Sequence, residues 1–230
     1  MVRDRHEAYG AVVLRRTAAA VSFLVLAAAP AAGAAPQVVD TWSYSPATHQ
    51  LVAAGSGAPF SIVGGSAFVD TSGAAAVQFT AAPGVAVQTA EPFVAPGGSD
   101  FRYEAVMGVD RLRASSTPNV FQYGRYDGHQ VKLQLSAKGV PQCLFNGTGG
   151  RLKLTSRSPS LGDGGRQHTF ACWRTGGSVG VTVDGTTTSR LFALGSVTPV
   201  GKATAGNRSP TGKASDQLFG KIWSVSVSLG

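Results

Sequence analysis

The sequence predicts an all-β fold in which two antiparallel sheets pack as a sandwich. Three observations carry this expectation. Apolar side chains recur at a period of two in short runs. Cys143 and Phe145 alternate with Gln142 and Leu144, Leu152 and Leu154 with Lys153 and Thr155, and Phe170 and Cys172 with Ala171 and Trp173. Successive side chains of a strand point to opposite faces, so this period means half-buried strands and not helix. Between the runs stand Asn146-Gly147, Gly149-Gly150, Gly176-Gly177 and Asp184-Gly185, residue types that tolerate the positive φ of tight hairpin turns. The chain also lacks any internal repeat, heptad or convincing helical pattern. Many short strands with frequent turns point to a sandwich or jelly roll.

Taken in order, the chain opens with Arg15-Arg16 and an uncharged run from Thr17 to Ala29 that ends near Ala32-Gly33-Ala34. A basic start, an apolar run and a small-x-small site make residues 1–34 an expected signal peptide, with the mature domain over residues 35–230. The run is short for a span of about 20 residues, and no later apolar run is long enough to cross a bilayer. The expected location is therefore secreted, with no membrane span in the mature chain.

Gln37 to Tyr44 reads as the first strand, ended by Ser45-Pro46 because proline cannot donate to a ladder. Five Ala-, Gly- and Val-rich strands follow, at residues 50–54, 60–63, 67–70, 74–80 and 85–89. Glu91-Pro92 and Pro96-Gly97-Gly98 mark a loop. From Asp100 to Met107 the alternation returns, with Phe101, Tyr103, Ala105 and Met107 on one face. Val131, Leu133 and Leu135 form another inward set. Val179, Val181 and Val183 form the next, and the last strand, Lys221 to Leu229, turns Trp223, Val225, Val227 and Leu229 inward. Lys202 to Ser215 reads as a loop without a large apolar anchor.

The formal charge is +8, and it is unevenly placed. No Lys or Arg occurs from Thr17 to Phe101, and every basic residue of the expected mature chain lies from Arg102 onward. Basic residues that alternate with apolar ones, as at Lys132 and Lys153, read as a solvated sheet face and not as a nucleic-acid patch. The expected partners therefore exclude nucleic acid. Export places both cysteines in an oxidising compartment, so Cys143 and Cys172 read as one disulfide. Two cysteines cannot fill a four-ligand zinc site, and the four histidines lie far apart. No metal and no cofactor is expected.

Several motifs carry a resemblance: Asn119-Val120-Phe121-Gln122-Tyr123-Gly124, Cys143-Leu144-Phe145, Leu161-Gly162-Asp163-Gly164, His168-Thr169-Phe170-Ala171-Cys172, Val181-Thr182-Val183-Asp184-Gly185 and Phe219-Gly220-Lys221-Ile222. Together they resemble the laminin G-like, concanavalin A-like jelly-roll domains of secreted bacterial proteins, over roughly Asp100 to Leu229. Gln167 stands where those domains have a Trp. The resemblance implies an antiparallel two-sheet jelly roll. Such domains often hold a structural Ca²⁺ through a carboxylate of the last strand. Trp223 and Ser224 occupy that place here, so no tight calcium site is expected, with Trp223 filling the volume; Asp40 is the nearest substitute.

Three functions are consistent with this reading. Glycan binding is favoured, because sugar sites want aromatic faces and planar polar groups. The loop Tyr123-Gly124-Arg125-Tyr126-Asp127-Gly128-His129 supplies both, and loops on a rigid scaffold often carry function. The candidate ligand residues are Tyr123, Arg125, Tyr126, Asp127 and His129, with Trp42 and Tyr44 as a second aromatic platform on one strand face. The alternative is a structural or adhesive module whose partner is a cell-surface protein. Hydrolysis is disfavoured. Retaining glycosidases need two carboxylates about 5 Å apart. The only glutamates of the expected mature chain, Glu91 and Glu104, have no acidic residue two positions away, and Asp100 is too distant along its strand. The oligomeric state is left open.

Overall fold

Strand pairing accounts for nearly the whole architecture of the chain, in a computed structural model that describes residues 37–230 apart from positions 82, 92 and 212. The expected signal peptide and the start at Ala35 lie outside the described residues. The strands are β1 (Gln37–Ser45), β2 (Gln50–Ala53), β3 (Phe60–Val63), β4 (Ser66–Val69), β5 (Ala75–Phe79), β6 (Val85–Gln88), β7 (Phe101–Arg111) and β8 (Asn119–Gly124). They continue as β9 (Gln130–Leu135), β10 (Pro141–Gly147), β11 (Gly150–Thr155), β12 (His168–Thr175), β13 (Ser178–Val183), β14 (Thr186–Leu191), β15 (Thr204–Ala205) and β16 (Phe219–Leu229). Among the described residues the only helical piece is a 3₁₀ turn at Ala214–Asp216.

All pairings between these strands are antiparallel, in the order β11-β10-β9-β8-β15-β6-β3-β2-β1-β16-β7-β12-β13-β14, with the β4–β5 hairpin beside β16. The run folds over itself, so β7, β12 and β13 of one layer face β8, β9, β10 and β11 of the other. Between them lies a single core. Phe121, Tyr123, Val131, Leu133 and Phe145 come from one layer, and Phe101, Tyr103, Phe170 and Val181 from the other. Phe93, in the loop before β7, sits among the rings of Trp42, Tyr103, Phe121 and Tyr123 at centroid distances of 5.0–6.3 Å. Each such ring, fully buried, contributes about 1.5–3 kcal/mol through the water it sheds. Cys143 on β10 is bonded to Cys172 on β12 with a Cα separation of 5.6 Å, which ties the two layers together.

Three elements differ from the sequence expectation. The loop from Lys202 contains β15, which fills a one-strand gap between β6 and β8. It needs no large apolar anchor. Ala203 and Ala205 are fully buried, and the buried amide of Gln217 does the anchoring. Its Oε1 accepts from the Gly84 N–H (2.7 Å) and from Asn207 Nδ2 (3.0 Å), and its Nε2 donates to the Gly84 carbonyl (2.9 Å).

The second difference lies in β16. Its pairing with β7 skips a residue between Ile222 and Ser224, a β-bulge with Trp223 as the extra residue. The bulge reverses the face, so Ile222 joins Val225 and Val227 in the core. Trp223 is still buried, but against the ring edge of Phe68 on β4 (6.2 Å, 88°) and outside the main core. At the same point the other edge of β16 changes partner from β5 to β1. The alternation gives no warning of β14 either, because this edge strand is exposed on both faces.

Candidate functional site

The register brings together residues far apart in the chain. Val87 pairs with Thr204, Thr204 with Gln122, Gln122 with Lys132, Lys132 with Leu144, and Leu144 with Lys153. Their neighbours along each strand, such as Tyr123, Val131, Leu133 and Phe145, are buried in the core. The row therefore lies on the outward face, and its middle forms the floor of a cleft. The cleft has a volume of about 300 Å³, with Arg125, Tyr126, Gln130, Arg208 and Ser209 completing its lining. It continues over β15 into a second hollow of about 310 Å³, reaching Glu91, Lys202 and Pro210.

The walls are held in place. Gly124 takes φ +91° at the end of β8, where a Cβ would lie 2.0 Å from the His129 carbonyl, so only glycine lets the hairpin close here. The Gly124 carbonyl accepts from Gln122 Nε2 (2.7 Å), which fixes the floor amide. The Gly128 carbonyl accepts from Asn146 Nδ2 (2.6 Å), and His129 Nδ1 accepts from the Thr198 N–H (3.1 Å). These bonds leave Arg125 and Tyr126 at the tip of a fixed hairpin. Tyr126 is 73% exposed, and the Arg151 guanidinium lies 3.6 Å from its ring centroid. Arg208 is paired through Nε with Asp216 at 2.9 Å. Burial pulls the Lys132 ammonium down to about 8; Arg208 and Arg151 push the same way, and Asp216 opposes them.

The expected site residues divide into two groups. Arg125, Tyr126 and Asp127 are exposed on the hairpin, and His129 is half-buried at its base. Trp42, Tyr44 and Tyr123 correct the expectation. Trp42 and Tyr44 do share a strand face, but it is the core face, and Trp42 is 0% exposed with its indole donating to the Ala58 carbonyl (2.9 Å). Tyr44 pairs its hydroxyl with His49 Nδ1 (2.9 Å), and Tyr123, 1% exposed, donates to the Phe93 carbonyl (3.0 Å). Large rings beside a core are buried by the alternation of their own strands. The basic residues also differ from expectation, since Arg125, Lys132 and Arg208 cluster in one cleft. The floor residues Gln122, Lys132 and Leu144 and the wall residue Arg208 escaped the sequence reading. Their signal was the outward half of each alternation.

The two glutamates lie apart. Glu91 borders the far end of the cleft, whereas Glu104, on the outward face of β7, accepts from Arg102 Nε (2.8 Å). Asp40 is buried and accepts three backbone N–H bonds, from Thr41 (2.8 Å), Gly55 (2.9 Å) and Gly57 (2.8 Å). Among the described residues no three His, Cys, Asp or Glu side chains come together as metal ligands. His168, buried at the start of β12, is flanked by Asp184 on Nδ1 (2.6 Å) and Asp163 on Nε2 (2.9 Å).

No family model matches the chain, and no curated protein matches it in sequence. Solved structures match it in shape. Domain 4 of an extracellular arabinanase from Geobacillus stearothermophilus, solved with arabinotriose, has a TM-score of 0.61 at 12% identity, over 85% of this chain and 93% of that domain. A Trypanosoma rangeli sialidase, solved with 2,3-difluorosialic acid, has a TM-score of 0.55 at 16% identity, over 89% of this chain. The mouse laminin alpha1 LG4-5 pair has a TM-score of 0.45 at 16% identity, over 64% of this chain. The chain spans 33% of the sialidase and 40% of the laminin pair. At such identities the likeness is one of fold. The chain has an antiparallel jelly-roll sandwich fold, shared with the arabinanase domain.

Proposed function

We propose that this chain is a secreted, non-catalytic glycan-binding module whose ligand lies in the cleft over β8, β9 and β10. One observation carries the reading. A fixed hairpin holds the exposed ring of Tyr126 beside a floor of the Gln122 amide, the Lys132 ammonium and the Leu144 side chain. An aromatic ring offers its face to the apolar face of a sugar ring, and amide and guanidinium groups meet its hydroxyls. The arabinanase domain of the same fold, solved with arabinotriose, supports the reading by analogy of fold. Non-catalytic action at this cleft is supported by the spread of the two glutamates, with Glu91 at the cleft and Glu104 on the other layer engaged by Arg102.

The test is a glycan array followed by titration calorimetry on the purified domain. Tyr126→Ala and Gln122→Ala should each weaken binding by about tenfold or more with an unchanged melting temperature. Failure to retain any glycan would overturn the reading. Capture of a specific cell-surface protein insensitive to both substitutions would replace it with the adhesive alternative.

A further inference from the structure

Resting on the glycan reading of the cleft, we propose that its ligand is an anionic glycan, one that carries carboxylate or sulfate groups on its sugar rings. The inference comes from an imbalance of charge and hydrogen bonding at the cleft floor. Arg125, Lys132 and Arg208 line the cavity, and Arg151 lies on the Tyr126 ring at its rim. One carboxylate, Asp216, faces this group, and it is paired with Arg208. Glu91 stands at the far end, beyond β15, where Lys202 donates to the Thr89 carbonyl (3.1 Å).

Lys132 is the centre of the imbalance. It projects from the middle of the sheet between Gln122 and Leu144, its register partners on either side. Among the described residues no group accepts a hydrogen bond from its ammonium. Ammonium groups taken out of water are normally paired. Here the nearby charges are Arg208 and Asp216 after β15 and Arg151 on β11. Two cations and one already engaged anion leave Lys132 without a partner that a bound anion would supply. Charge-assisted bonds to carboxylate or sulfate from Lys132 and Arg208 would be short and strong in this half-dry setting. A nucleic acid would find the same charge, but the cations converge on one cavity and form no stripe along a backbone path. Tyr126 is the one exposed ring at the cavity, where single strands are read by several stacking rings.

Lys132 also gives the site a pH signature. Its ammonium is charged below about 8 and neutral above it. An anion favours the charged form, so affinity is full at neutral pH and falls as pH rises through that value. Arginine stays charged throughout, so Lys132→Arg should remove the fall.

The experiment is affinity electrophoresis and calorimetry on the whole mature domain with matched polymers: galactan against polygalacturonate, and dextran against dextran sulfate. The charged member of a pair should bind at least about tenfold tighter than the neutral one. Lys132→Met and Arg208→Gln should each erase that preference, and Lys153→Gln and Arg190→Gln, outside the cavity, should not. The better of the two polyanions identifies carboxylate or sulfate as the group recognised. Equal binding of charged and neutral polymers would overturn this inference and leave the glycan reading intact. Failure of every polymer would end both. Equal loss in all four variants would reduce the preference to net charge, and tighter binding of a single-stranded oligonucleotide would transfer the cleft to nucleic acid; either result overturns the proposal.

Discussion

Trp173 lies flat across Gly180, its cross-strand partner in the β12–β13 pair. A methyl group built on Gly180 would stand 2.0 Å from Trp173 Cζ2, so the indole rests on the glycine backbone. Its Nε1 donates to Thr182 Oγ1 (3.0 Å). Gly180→Ala must lift the ring and strain that bond, at a cost of about 1–3 kcal/mol, the usual range for overpacking. Urea unfolding should show this loss, together with a red-shifted tryptophan emission as the indole meets water. An alanine variant with unchanged stability and emission would contradict the stacking.

The disulfide joins β10 to β12 across the sandwich, and it closes a loop with a sequence separation of 29. Chain-entropy arithmetic assigns this closure about 3–4 kcal/mol of stability. Cys143→Ala/Cys172→Ala should lower the unfolding free energy by about that amount, with additional loss from the two vacated core positions. Denaturant curves of the oxidised and the double-alanine protein measure it. A difference below about 1 kcal/mol would mean that the unfolded chain gains little freedom on losing the bond.

Acid should act through the His168 cluster. Burial opposes ionisation of Asp184, but hydrogen bonds from His168 and the Thr169 N–H, with the His168 and Arg166 charges, outweigh it and hold its carboxyl below the ordinary range. A folded-state value lowered in this way means stability that is present above the unfolded value, about 3.9, and lost as pH falls through the folded one. Wild-type and Asp184→Asn proteins should therefore differ in melting temperature at pH 7 and converge as pH falls through the lowered folded-state value. Asp184 is half-exposed, so solvent screening keeps the difference modest. A gap that stays constant down to pH 2 would rule out this carboxylate as its source.

The fold was legible because alternation survives in single strands. Phe101-Tyr103-Ala105-Met107 and Cys143-Phe145 mark their faces without help from the rest of the chain. What alternation cannot carry is a break in itself, and the bulge at Trp223 is such a break. Nor can it reveal β15, where Thr204 and Ala205 become a strand only because β6 and β8 stand on either side. The site was half legible for the same reason. Tyr126 and Arg125 are adjacent in sequence and were found together. Gln122, Lys132, Leu144 and Arg208 meet only through register, which no single segment encodes. Tyr123 could have been placed correctly, since it lies two residues from Phe121 on the same face.

Calcium gives the last prediction. The resemblance in sequence leads to domains that often hold Ca²⁺ through a carboxylate of the final strand, where this chain has Trp223 and Ser224. Trp223 packs against Phe68, and Ser224 offers a single neutral hydroxyl. Asp40, the nearest substitute, already accepts three backbone N–H bonds and so holds the Gly55–Gly57 segment against β1. Three of its roughly four lone-pair sites are thus taken, so Asp40 could offer a cation little more than one oxygen contact without giving up those bonds. Calcium also needs about 6–8 oxygens, and its affinity follows the number of charged ligands. Melting temperatures in about 5 mM Ca²⁺ and in excess chelator should therefore agree, whereas a roughly micromolar site would add about 5 kcal/mol. Asp40→Ala should destabilise the protein by about 2–4 kcal/mol whether or not calcium is present, because the orphaned donors at Gly55 and Gly57 carry the loss. An Asp40→Ala effect that appears only in the presence of calcium would reverse this assignment and make the carboxylate a metal ligand.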